Sequence, residues 1–256
     1  MGVDYTTVTE IPGNRVTQEQ LERMFHRYQF AASFSEGKDV LEVGCGAGMG
    51  LGYLGKRARK VVGGDYTEYL LEIAKQNYKN RIPLLRLDAH FLPFRGQSFD
   101  RVILYEAIYY LAKPEEFFQD AKRVLRKDGA LLIATVNNDW SEFNPSPFST
   151  RYLSIPELST LLQESGFSVE IYGAYSALPK GTREKIIASI KKLAVSLHLI
   201  PKTMKGKEFL KKIFYGRLIT LEGEIEEGLY KYLPPLLISS HIPNDEFKII
   251  YAVART

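Results

Sequence analysis

From residue 38 onward, brief apolar runs alternate with longer amphipathic stretches. Residues 39–43, 60–64, 83–87, 99–105, 130–136, 167–172 and 247–254 are short and rich in Val, Ile, Leu or aromatic side chains, the pattern of strands. Between them, 50–57, 67–78, 114–126 and 156–165 carry apolar residues at helical period. Thr67 opens the second of these helices, and Pro114 stands at the first position of the third, where its missing N–H costs nothing. Gly129 and Gly166 close the last two. Ahead of the first strand, Thr17-Gln18-Glu19-Gln20 fits a capping box, and Leu21, Met24, Phe25 and Tyr28 recur at helical spacing. A helix of about 15 residues is therefore expected there. The alternation predicts an α/β fold with a mostly parallel sheet and helices on both faces. Right-handed crossovers then put a ligand crevice beyond the carboxyl ends of the strands, where Glu42, Asp65 and Asp88 stand.

One interval breaks the rhythm. Residues 173–245 separate the sixth strand from the last, far more chain than one crossover needs. Residues 183–199 and 205–214 read as helices. The chain thus divides into an N-terminal cap-helix region (1–37), a core (38–172), a helical insert (173–245) and a last strand (246–256).

Composition narrows the class. The 256 residues carry a net charge of only +4, too little to argue for nucleic acid. Eleven Lys or Arg against two Glu nevertheless fall between 180 and 217. The simplest reading is a solvated face on amphipathic helices; a surface for an anionic acceptor, or for acidic headgroups, is the alternative. Cys45 is the single cysteine, so no internal disulfide forms, and a reducing cytoplasm is the expected setting. No apolar run approaches a membrane span, and no secretory leader is expected. The start Met1-Gly2-Val3-Asp4-Tyr5-Thr6 fits a myristoylation pattern by chance. His26, His90, His198 and His241 show no metal-ligand spacing, and no metal is expected.

The stretch Val40-Leu41-Glu42-Val43-Gly44-Cys45-Gly46-Ala47-Gly48 runs a strand into three glycines. Such a turn lets backbone approach a ligand, and the helix behind it offers free N–H groups. The dinucleotide fingerprint G-x-G-x-x-G fails, because Met49 or Leu51 stands at its third glycine.

Glu42-x-Gly44-x-Gly46-x-Gly48 resembles motif I of the class I S-adenosylmethionine-dependent methyltransferases. Val61-Val62-Gly63-Gly64-Asp65 is similar to the family's second strand with its ribose-binding acid, and Leu87-Asp88-Ala89-His90-Phe91-Leu92-Pro93-Phe94 to its adenine-side segment. Ser98-Phe99-Asp100-Arg101-Val102-Ile103 resembles its fourth strand, and Arg123-Val124-Leu125-Arg126 with Gly129 its R-V-L-[RK]-P-G-G segment, from which Lys127-Asp128 and Ala130 depart. The resemblance implies a Rossmann-like, doubly wound, seven-stranded sheet with an antiparallel last strand, and S-adenosylmethionine as cofactor. It places Gly44, Cys45, Gly46 and Gly48 beneath the cofactor and Asp65 on the ribose. Asp88 then faces the adenine amine, with the N–H of Ala89 or His90 on the ring. Tyr66 or Phe91 is placed to stack on the adenine. Tyr28, Tyr105 and Tyr109 are candidates to face the sulfonium, since aromatic faces attract cations. Arg27 or Tyr28 suits the methionyl carboxylate. Glu42 either touches the ligand or orders the loop, and His26 either packs or joins the site.

The acceptor is less specified. Glu106, Tyr109 and Tyr110 follow the fourth strand, with Glu106 as base or orienter and the tyrosines shaping the pocket. The stiff, aromatic segment 143–152 is a candidate substrate loop. The chain resembles methyltransferases of bacterial polysaccharide and secondary-metabolite sugar pathways, which implies a small-molecule acceptor with a hydroxyl or amine. Nucleic-acid or protein acceptors are the alternative, but no N/D-P-P-Y/F segment follows the fourth strand. A non-catalytic binding module is the third reading. Oligomeric state is left open.

Overall fold

The computed structural model of the protein describes residues 4–178 and 218–256. The helices expected at 183–199 and 205–214, the whole basic stretch at 180–217, and His198 lie outside the described residues. In chain order, β1 (Arg15–Val16) and α1 (Gln18–Ser33) lead into β2 (Asp39–Val43), α2 (Leu51–Gly55), β3 (Lys60–Asp65), α3 (Glu68–Tyr78) and β4 (Leu84–Arg86). There follow β5 (Phe99–Tyr105), α4 (Pro114–Val124), β6 (Leu125–Val136), α5 (Ile155–Glu164) and β7 (Ser168–Ser176). After the undescribed interval come β8 (Ile219–Thr220), β9 (Leu236–Ile238) and β10 (Phe247–Arg255).

The main sheet has the order β4-β3-β2-β5-β6-β10-β7-β9. Strands β4, β3, β2, β5 and β6 run parallel, and β10 is antiparallel to both β6 and β7. The expected seven strands are present, and an eighth, β9, pairs antiparallel with β7 at the edge. That pairing accompanies a sixth strand that continues to Ser176 instead of stopping at Tyr172. β9 is only Leu-Leu-Ile, too short to show a period, and Pro234-Pro235 precede it, as an edge strand tolerates. The interval before the last strand is therefore not wholly helical, since it also contributes β8 and β9 among the described residues.

The strands are apolar on both faces because both are covered. Val40, Ile103 and Tyr105 pack on one side with Phe25, Tyr28 and Tyr53, the face of α1 and α2. Leu41, Val43, Val102 and Leu104 point the other way, onto Phe117 and Phe118 of α4 and Leu158 and Leu162 of α5. Helix α1 begins at the anticipated capping box: Thr17 Oγ1 accepts the Gln20 N–H at 3.2 Å, and Gln20 Oε1 accepts the Thr17 N–H at 3.1 Å. Thr67 does not cap α3 with its hydroxyl; its N–H instead donates to Asp65 Oδ1 at 2.8 Å. No helix among the described residues is long and apolar enough to cross a membrane.

Candidate functional site

A cavity of about 500 Å³ opens where β2, β3 and β5 end. The turn after β2 forms its floor. Gly44 and Gly46 hold φ of +70° and +55°, a conformation side chains resist. A Cβ on Gly44 would stand 3.0 Å from Ala107 Cβ, and one on Gly46 2.9 Å from Thr9 Cγ2. Gly48 (φ +78°) lies behind the floor, against Tyr78 and Ala74, and does not line the cavity. Cys45 lines it, but its N–H is spent on Gly64 O at 3.0 Å, and burial pushes its thiol well above its usual range.

Two acids stand on the β3–β4 side. Asp65 is buried; its two oxygens accept the N–H groups of Gly46 and Thr67, each at 2.8 Å. Each oxygen keeps a further lone-pair direction. Burial raises its carboxyl pKa against those bonds. Asp88 is half-exposed, and its Oδ1 accepts both the N–H and the Nδ1–H of His90, at 2.9 and 2.7 Å. His90 Nε2 accepts from the Lys113 N–H, which fixes that tautomer. Burial works to raise the Asp88 pKa, but the two His90 bonds outweigh it and hold it low. Because the His90 N–H is occupied, Ala89 is the candidate left to donate from the backbone. Tyr66 lines the cavity, whereas Phe91 is 75% exposed and does not.

The opposite wall comes from α1, β5 and the turn after it. Tyr28 donates to Glu42 Oε1 at 2.6 Å. Glu42 is buried behind Tyr28, outside the cavity lining, and its Oε2 has no partner. Burial drives its carboxyl up to about 7, more than the Tyr28 bond and Arg27 draw it down. Tyr105, buried and lining the cavity, has an unpartnered hydroxyl, and the buried Nε of Arg27 is likewise without a partner. Glu106 holds φ +52°, rare outside glycine, while its N–H bonds Ala134 O at 2.8 Å. The strained backbone accompanies a carboxylate in the cavity, where Tyr109 donates to Oε2 at 3.2 Å and Arg27 stands 4.0 Å from Oε1. Burial raises its pKa, opposed by Arg27.

His26 is held in packing: Nε2 meets Lys231 O at 3.0 Å and Nδ1 the Tyr175 hydroxyl at 2.6 Å. The segment 143–152 packs on the turn after β5, with Tyr152 stacked on Tyr109 and Ser146 bonded to Tyr110. Sequence reasoning missed the N-terminal segment. Tyr5, Val8, Thr9 and Glu10 line the cavity, as do Gln20 and Arg23 of α1. Residues 4–14 have no period that would announce them; Gln20, Arg23 and Arg27 did lie on one stripe of α1 with Met24.

The arrangement suits S-adenosylmethionine. A glycine floor that a Cβ would obstruct, acids at the β3–β4 end, and an orphaned buried hydroxyl at Tyr105 match a ligand with ribose, amine and sulfonium groups. Among the described residues, no group of three or more His, Cys, Asp or Glu is placed to hold a metal ion.

Residues 41–133 match the family model described as a methyltransferase domain. A probable S-adenosylmethionine-dependent methyltransferase of Mycolicibacterium smegmatis is 36% identical over 149 residues, 56% of this chain and 57% of that protein. The erythromycin 3''-O-methyltransferase of Saccharopolyspora erythraea is 31% identical over 133 residues, 49% of this chain and 43% of that protein. A solved structure from Thermotoga maritima, described as a possible histamine N-methyltransferase, aligns with a TM-score of 0.58 at 18% identity, covering 92% of this chain and 91% of that one. The last likeness is one of fold. The matched segment spans about half the length of the curated relatives, 57% and 52% of the first two.

Proposed function

The chain carries a class I S-adenosylmethionine-dependent methyltransferase domain, and on that premise we propose that it methylates a hydroxyl of a small molecule, a sugar or sugar-linked metabolite. When bound, the cofactor supplies an electrophilic methyl group on a sulfonium. Asp65 would accept from the ribose hydroxyls, Asp88 and the Ala89 N–H would take the adenine edge, and Tyr66 would stack on it. Gly44 and Gly46 leave the space these contacts need. Tyr28, its hydroxyl fixed by Glu42, and Tyr105, packed edge-on against it, would offer aromatic rings to the cationic centre.

Glu106 carries the choice of a hydroxyl. An amine acceptor needs only to arrive unprotonated; a hydroxyl needs a base. The Glu106 carboxylate is held in the cavity by a strained backbone, oriented by Tyr109, and made more basic by burial. It would take the hydroxyl proton and leave the electron pair on the acceptor oxygen for the new C–O bond, which replaces the methyl group's bond to sulfur, that bond's electron pair departing with S-adenosylhomocysteine. The naming of one relative as an erythromycin 3''-O-methyltransferase supports an oxygen acceptor.

The test is transfer of labelled methyl from S-adenosylmethionine to a panel of sugars, other hydroxylated metabolites and amines, by wild type and Glu106→Gln. Loss of a general base costs about 10²–10⁴-fold in rate, with cofactor binding retained. Methylation confined to amines, or an unimpaired Glu106→Gln enzyme, would overturn the reading.

A further inference from the structure

The Arg27 guanidinium sits between two carboxylates that both line the cavity. Glu106 Oε1 is 4.0 Å from Nη1 on one side, and Glu10 Oε2 is 3.9 Å from Nη2 on the other. Its Nε is buried without a partner, and its side chain is 15% exposed. The charge of one arginine is thus divided between two acids, in a place where water screens little.

The two acids arrive by different routes. Glu106 is fixed at the end of β5. Glu10 belongs to the N-terminal segment, which no regular element of the main sheet contains. That segment is pinned at several points: Gly13 N–H donates to Leu221 O, Leu221 N–H to Asn14 O, and β1 pairs with β8. Tyr5 packs on Tyr66 and Tyr110, with ring centroids 6.4 and 4.8 Å away, and so bridges the two halves of the cleft. Glu10 reaches Arg27 only with this strap in place.

We propose that Glu10 is a positioning residue: by holding one side of Arg27 while Glu106 holds the other, it sets how strongly Glu106 draws a proton from the acceptor. Without Glu10, Arg27 would serve Glu106 alone and draw its carboxyl down further against the effect of burial. With Glu10 docked, the arginine is shared and a second negative charge stands nearby, so Glu106 becomes more basic as the strap covers the cavity. The other groups facing Glu106 are Arg23 of α1, Tyr109 and Tyr110 of the turn after β5, Tyr152 of the following loop, and Tyr251 of β10. Burial and Glu10 push the Glu106 carboxyl up, while Arg27, Tyr109 and Arg23 draw it down.

This inference rests on the reading of Glu106 as base, but its test needs no acceptor. The full chain is labelled at glutamate Cδ and titrated by carbon NMR; the resonance missing from Glu106→Gln is that of Glu106. In Glu10→Gln the Glu106 midpoint is expected to move to lower pH, and in Arg27→Gln to higher pH. A Glu10 that only tethers the strap would lower the melting temperature and leave the midpoint where it was, and that result would sink the proposal. Should Arg27→Gln not fold, Glu10→Gln decides alone. If Glu106→Gln keeps full methyl transfer while the midpoint still moves, the base assignment fails and the coupling stands. If Glu106→Gln is inactive and the midpoint is unmoved, only the coupling fails.

Discussion

Glu42 offers a quantitative test of how this sheet tolerates an acid at its centre. The side chain is 1% exposed, one carboxylate oxygen accepts from Tyr28, and the other has no partner. Burial raises its pKa from 4.5 to about 7, ahead of the opposing Tyr28 bond and Arg27 charge, with Asp65 adding to the rise. Between those two values the folded protein holds a proton that the unfolded chain releases. Stability is then greatest below about 4.5, falls as pH rises, and levels off above 7. Each pKa unit corresponds to about 1.4 kcal/mol, so full ionisation costs about 3 kcal/mol, of which about 2.5 falls between pH 5 and 8. Glu42→Gln removes the titration. Its amide also places N–H donors where no acceptor waits, a penalty that does not depend on pH. Denaturant melts of both proteins without ligand, from pH 5 to 8, isolate the term: the stability of the glutamine variant relative to wild type should climb by about 2–3 kcal/mol across that range. Parallel curves would mean that Glu42 is ionised in the fold at all these pH values, and the account of an isolated, desolvated carboxyl would be wrong. Tyr28→Phe, which removes the one hydrogen bond to Glu42, should push the transition to still higher pH.

Two further outcomes follow from the cavity. Asp65→Ala should weaken S-adenosylmethionine binding by about 10–100-fold, since hydrogen bonds to a charged group contribute about 1.5–3 kcal/mol; calorimetric titration with S-adenosylmethionine, S-adenosylhomocysteine and NAD checks this, and equal affinity for the variant would remove Asp65 from the ribose. Gly44→Ala combines a left-handed φ, worth about 1–2 kcal/mol, with a Cβ 3.0 Å from Ala107 Cβ; thermal melts should show the stability loss and titration a weaker cofactor, and a variant as stable as wild type would show that the turn relaxes without strain.

Much of the architecture was legible because parallel strands covered on both sides announce themselves as unbroken apolar runs. The residues 39–43 and 99–105 became β2 and β5 with the expected ends. Local chemistry was also readable where two groups satisfy each other within a few residues, as Thr17 and Gln20 do. The edge strand was not, because Leu236–Ile238 is stabilised by pairing with β7, a long-range event without a local signature. The same distinction runs through the cavity. Gly44, Gly46, Asp65 and Asp88 stand at strand ends, so the alternation that places the strands also places them. The family resemblance left Phe91 an equal candidate with Tyr66, and only the bridge between Asp88 and Phe91, which turns the chain there, accompanies the outward position of its ring.

The N-terminal segment shows why such reasoning stops at one wall of the cavity. Thr9 reaches Gly46, Tyr5 reaches Tyr66 and Tyr110, and Glu10 reaches Arg27, all across separations that no period encodes. These contacts are made by side chains of a segment with little secondary structure, held by its ends. Fold and cofactor surface are therefore written in the strands and their glycine turn, where each residue answers to its neighbours. The wall proposed to face the acceptor is assembled from α1, the turn after β5 and this strap, each carrying charges whose meaning depends on the other two. Arg27 is the clearest case: on its own helix it is one more polar residue, and it becomes a shared counter-charge only when Glu10 and Glu106 are brought to either side of it.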